Sequence, residues 1–90
     1  MVLPPRVDIA SAGDVRTWFL DLTTDARLDA SSVEVVTTPG LQVLMAGRDH
    51  LNRQSLRLTI DAPSAAFLSC LQALGTPLVR LTSDCQSETA

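Results

Sequence analysis

Aromatic residues are scarce in this chain. It has no tyrosine, and Trp18, Phe19 and Phe67 are its only aromatics, so any core has to be built mostly of Leu, Val and Ala. Basic clusters are missing as well: Arg48, Arg53, Arg57 and Arg80 stand singly and the net charge is −3. That excludes a nucleic-acid footprint, because phosphate binding needs several basic groups on one face. No apolar run approaches the roughly 20 residues of a membrane span, and the N-terminus lacks the basic and apolar zones of a secretory signal. A cytoplasmic protein with no direct membrane insertion is expected. The two cysteines, Cys70 in an apolar segment and Cys85 in a polar tail, lack metal-ligand spacing and are expected to be free thiols. With no glycine-rich phosphate loop and no basic cradle, nucleotide hydrolysis is not expected, and nothing calls for a cofactor or metal.

What remains is the pattern of an ordinary globular domain. Ninety residues make one domain, 1–90, able to bury roughly 60 to 65% of its unfolded surface in a single core. Val2 to Asp8 reads as extended, but Pro4-Pro5 removes two backbone donors and restricts it to an edge strand or an irregular lead-in. From Ser11 the period changes: Val15, Trp18, Phe19 and Leu22 repeat as the buried stripe of an amphipathic helix, with Ser11 and Asp14 as a capping-box start. Arg27 to Ala30 reads as a short strand, and Val33 to Val36 as its irregular continuation. A second helix is expected from Pro39 to Arg53, with Leu41, Leu44, Met45 and Leu51 inward. Leu56, Leu58 and Ile60 alternate with Arg57 and Thr59 as a strand. Pro63 opens a third helix with Phe67, Cys70, Leu71 and Leu74 inward, and Gly75 caps its end. Leu78 to Leu81 reads as a last strand, followed by a flexible polar tail, 82–90.

Alternation of strands and helices predicts an α/β fold: a small mixed, largely parallel four-stranded sheet with three helices packed on it. In open sheets of this type, sites gather where loops leave the carboxyl ends of the strands. Thr37-Thr38-Pro39-Gly40 is such a loop. Thr38 before Pro39 is expected to be an N-cap, since its oxygen can accept from a first-turn N–H and proline at the first helical position sacrifices no bond. Gly40 is expected to leave the backbone uncovered. A phosphoryl group on Thr38 would place about −1.5 to −2 charges at the positive end of a helix.

Three segments carry a resemblance to a known family. LDASSVEVVTTPGLQVL, Leu28 to Leu44, resembles the signature segment of the STAS domain, the family of bacterial anti-sigma factor antagonists. There a strand ending in Asp and a hydrophobic residue leads into an Asp-Ser-Ser-Gly-Leu turn and a helix. PPRVDIASAGDVRTWFLDL, Pro4 to Leu22, resembles that family's early strand and first helix, and LRLTIDAPSAAFLSCLQALG, Leu56 to Gly75, its Ser-Pro turn and third helix. Gln42, after the Gly-Leu pair, is shared with short single-domain STAS proteins of bacterial chemotaxis clusters; the chain is also similar to the small STAS subunit of lipid-transport ATPases. The resemblance implies that Thr38 is a candidate phosphoacceptor, that Gly40 is the turn glycine and that Asp8 is the acid beside that site. Thr37 stands where the family carries Asp, Pro39 where it carries a second serine, and the family's first strand is reduced or missing.

The resemblance implies a bacterial, non-enzymatic interaction module for signal transduction that docks on an anti-sigma factor, a kinase or a chemotaxis component, with phosphorylation of Thr38 as the candidate switch. The alternative is a constitutive subunit of an ABC-type lipid-transport ATPase complex, in which Thr38 is only a helix cap. Partner contact is expected through Asp8, Thr37, Pro39 and Gly40, and through Gln42, Val43 and Ala46 on the outward face of the second helix; a homodimer is left open. His50, the only histidine, is expected on the solvated surface. Asp8 and Asp29, both near strand ends, are expected to cap turns and be solvated rather than to form an acid/base pair.

Overall fold

The computed structural model describes residues 1–82; Cys85 and nearly all of the expected tail lie outside them. The elements are β1 (Arg6–Val7), α1 (Ile9–Asp21), β2 (Ala26–Asp29), β3 (Val35–Val36), α2 (Thr38–Arg53), β4 (Leu58–Asp61), α3 (Ala65–Ala73) and α4 (Leu78–Leu81). This is a small α/β fold in which every strand pairing is parallel.

The strands form two parallel pairs instead of one regular four-stranded sheet. β2 lies on β4 in the register Ala26–Leu58 to Asp29–Asp61, and β1 lies on β3 with Arg6 opposite Val35 and Val7 opposite Val36. Pro4 and Pro5 divide the N-terminal segment between them. Before the prolines, Leu3 N–H donates to Asp29 O (2.9 Å) and Asp29 N–H to Met1 O (2.8 Å). At the prolines, Pro5 O accepts from Glu34 and Val35 N–H. The segment expected at an edge therefore runs between β2 and β3. Proline is tolerated there because only its missing N–H is lost, while its carbonyl still accepts. Val33 to Val36 does not continue β2: the chain turns at Ser31-Ser32 and Val35–Val36 joins β1.

The starts of α1 and α3, and the type of the last element, differ from the sequence expectation for physical reasons. Asp8, not Ser11, is the N-cap of α1: its carboxylate accepts from Ala10 and Ser11 N–H at 3.1 and 3.2 Å, and Ser11 Oγ accepts from Asp8 N–H at 3.0 Å. This is a reciprocal capping box with Ser11 at its third position. In α3, Ser64 supplies the cap, accepting from Phe67 N–H at 3.0 Å while donating to Val33 O at 2.7 Å. Leu78–Leu81 is a helix, contrary to the expected strand. Arg80 and Leu81 N–H both bond to Pro77 O, and burial follows the helical i, i+3 spacing, with Leu81 fully buried and Val79 76% exposed. Gly75 does end α3, at φ +78°, a conformation glycine adopts without strain.

The core joins Val7, Val15, Phe19, Leu28, Leu44, Leu51, Phe67, Leu71 and Leu81, each worth about 1.5–3 kcal/mol when fully buried for the larger side chains. Phe19 of α1 seats on Gly47 of α2, where a β-carbon would run into its ring; the two helices approach that closely because position 47 has no side chain. Arg48 is also buried, at 7% exposure. Its guanidinium donates to Asp49 Oδ1 (2.9 Å) and Arg80 O (2.9 Å), tying α4 to α2. Cys70 is a half-buried free thiol on the inner side of α3.

Candidate functional site

The parallel pairing of β1 and β3 decides what stands at the candidate rim. Because Val7 is level with Val36, the next residues, Asp8 and Thr37, come out side by side and each caps a helix. The first residues of α1 and α2, Ile9 and Thr38, follow directly and are exposed.

Thr37 and Thr38 divide the work differently from the expectation. Thr37 is the N-cap: its Oγ1 accepts from Gly40 N–H at 3.4 Å and donates to Val7 O at 3.4 Å, while its N–H donates to Val7 O at 3.0 Å. Its hydroxyl is thus committed in both directions. Thr38 is the first helical residue, and its hydroxyl forms no hydrogen bond among the described residues. Gly40 is buried against β1 rather than uncovered; a β-carbon there would fall on the Val7 carbonyl. Glycine is needed at position 40 for close approach, not for an open backbone.

This helix start has little capacity to hold an anion. Of the four N–H groups a helix usually leaves free, Thr37 gives its own to Val7 O, Pro39 has none and Gly40 gives its own to Thr37 Oγ1, so that among the described residues Thr38 N–H alone is left over. Asp8 adds a carboxylate next door. Partial desolvation pushes Asp8 up, but hydrogen bonds from Ser11 and Ala10 N–H and from Arg6 outweigh it, holding the carboxyl below its ordinary value of 3.8.

The outward face of α2 holds the other expected contacts. Gln42 and Ala46 are exposed and Val43 is half-buried. Val43 and Ala46, with Phe19 and Leu20 of α1, line a groove of about 100 Å³ whose margins carry Arg16 and His50. Leu20 is 49% exposed there. His50 is half-buried in this groove margin, 2.9 Å from the Gln54 side-chain nitrogen, not simply solvated as expected. Asp8 caps α1 and Asp29 closes a local turn: Asp29 accepts from Ser31 Oγ (2.6 Å) and Ser31 N–H (2.9 Å), bonds that hold it below its ordinary value.

Two exposed apolar residues, Ile9 beside the rim and Leu20 in the groove, were not among the contacts expected from the sequence. Ile9 is 77% exposed beside the rim, and a signal was available, since it falls off the Val15, Trp18, Phe19, Leu22 stripe. Among the described residues no three His, Cys, Asp or Glu side chains gather as a metal site, and no helix is long and apolar enough to cross a membrane. No family model, no curated protein and no solved structure matches this chain.

Proposed function

We propose that this chain is a non-enzymatic, STAS-like docking module that binds a signalling protein, such as an anti-sigma factor, a kinase or a chemotaxis component. Contact runs through Ile9, Thr38 and Pro39 at the rim and continues along Gln42, Val43 and Ala46. One observation carries this reading: Thr37 takes over the capping bonds, which leaves the Thr38 hydroxyl exposed at the mouth of α2 and without a hydrogen bond among the described residues. A side chain used only for capping would be turned into the helix. The groove beside Val43 and Ala46 supports the same face, because a partner side chain gains apolar contact there without disturbing the core.

Phosphorylation of Thr38 is the switch this module would use, through added charge at the partner surface. A second reading, a constitutive subunit of a lipid-transport ATPase that never exchanges phosphate, is favoured by the shortage of first-turn donors, since Pro39 has no N–H and Gly40 N–H is taken by Thr37 Oγ1. A pull-down from native cell extract with wild-type, Thr38→Ala and Ala46→Arg baits separates the two. Capture of a signalling protein lost with Ala46→Arg, together with phosphate on the Thr38 peptide by mass spectrometry, supports the switch. Equal capture of an ATPase by wild type and Thr38→Ala, with no phosphate, supports the constitutive subunit, and equal capture by all three baits removes this face from the account.

A further inference from the structure

We propose that the outer edge of β4 is a self-association site, pairing antiparallel with β4 of a second copy about a two-fold axis through Thr59. The backbone orientation comes from the ladder with β2. Arg57 and Asp61 carbonyls accept from Ala26 and Ala30 N–H at 2.9 and 3.0 Å, so residues 57, 59 and 61 turn their backbone groups toward β2. In a strand the next residues turn theirs the other way; Leu58 and Ile60 point outward. Among the described residues neither has a hydrogen bond outside the β2–β4 pair. The prolines that blunt an edge elsewhere lie inside the fold, between β2 and β3, and give β4 no protection.

Charge and register select the occupant. Arg57-Leu58-Thr59-Ile60-Asp61 is complementary to its own reversal: base opposite acid at the ends, Leu opposite Ile, and Thr opposite Thr at the centre. Two copies related by a two-fold axis meet in that way. Leu58 and Ile60 of one copy would exchange backbone bonds with Ile60 and Leu58 of the other. Thr59 and the Arg57–Asp61 pairs would then fall at the non-hydrogen-bonded positions, where facing side chains come closest. The Arg57 side chain is exposed and has no ion-pair partner among the described residues. Asp61 already receives both of its bonds from Arg27, at 3.0 Å each, yet its side chain is 42% exposed, and a carboxylate has about four acceptor directions. One short strand edge is small for an interface, which places the dimer at the weak end of the range.

Sedimentation velocity across a wide concentration series of the full chain tests this, with circular dichroism checking that each variant is folded. Wild type should dimerise reversibly; Arg57→Glu alone, or Asp61→Arg alone, should weaken the dimer about tenfold, because like charges then face each other twice. An equimolar mixture of the two variants should recover wild-type affinity as a heterodimer, since the introduced acid meets the introduced base. Mild oxidation of Thr59→Cys should link the position-59 peptide to itself. A chain that stays monomeric throughout, a dimer indifferent to Arg57→Glu, or a mixture with no recovery overturns the proposal.

Discussion

Gly40 lies flush against the carbonyl of Val7, so that a β-carbon on it would overlap the oxygen and the carbon of that peptide. The contact joins α2 to the end of β1 and sets the distance between the two helix starts at the rim. Gly40→Ala should destabilise the domain by about 1–3 kcal/mol, the usual cost of overpacking. Gly13→Ala, at an exposed helical position with open space around it, should instead stabilise by about 0.5–1 kcal/mol. Urea unfolding of both variants reads the opposite signs.

Thr37 and Thr38 should separate cleanly under substitution. Thr37→Val removes the cap oxygen that serves Gly40 and should lower stability by about 1 kcal/mol. Thr38→Val removes no hydrogen bond among the described residues and should leave the urea midpoint nearly unchanged. If Thr38→Val were the more damaging of the two, the assignment of the cap would be reversed.

Arg48 should matter more than its lone place in the sequence suggests. Its guanidinium reaches the Arg80 carbonyl of α4 from α2, and Arg48→Met leaves that carbonyl without this donor. A loss of about 1.5–3 kcal/mol is expected, the range for a hydrogen bond to a charged group, together with faster hydrogen exchange in Leu78–Leu81 than elsewhere.

Acid should loosen the domain through its cap and strand-end carboxylates. Asp8, Asp29 and Asp61 are all held below the ordinary value of 3.8 by hydrogen bonds to their charged form, Asp61 chiefly by Arg27. A carboxyl depressed in the folded state contributes stability above 3.8 that disappears as pH falls through its folded value. Melting temperature should therefore be flat in the mildly acidic range and fall below pH 3.8. Asp8→Asn should flatten that fall, which thermal melts at a series of pH values will show.

The sequence carried the helices far better than the sheet. Leu41, Leu44 and Leu51 of α2, and Phe67 and Leu71 of α3, are buried as their spacing predicts, because a helical stripe is a local signal. Strand partners are not local: nothing in Met1 to Val7 says that its two halves pair with different strands. Leu78 to Leu81 misled because four apolar-rich residues fit either period; Pro77, whose carbonyl takes the first bonds of α4, decided it. At the rim, the sequence placed a helix start at Thr37 to Gly40, as the structure does, but the choice of Thr37 over Thr38 as cap depends on the Val7 carbonyl, thirty residues away in the chain. Val43 and Ala46 were legible as the α2 flank, whereas Leu20 and Ile9 were not, since a single apolar residue off a stripe is common on any surface.

The most direct test of the docking account is calorimetric titration of wild type and Thr38→Glu with the partner captured in the pull-down, alongside their thermal melts. Kd should change about tenfold or more, some 1.4 kcal/mol, with the melting temperature nearly unchanged. A melting temperature that drops by several degrees while the folded protein binds with unaltered Kd would contradict the docking account, and would make Thr38 a structural residue of α2.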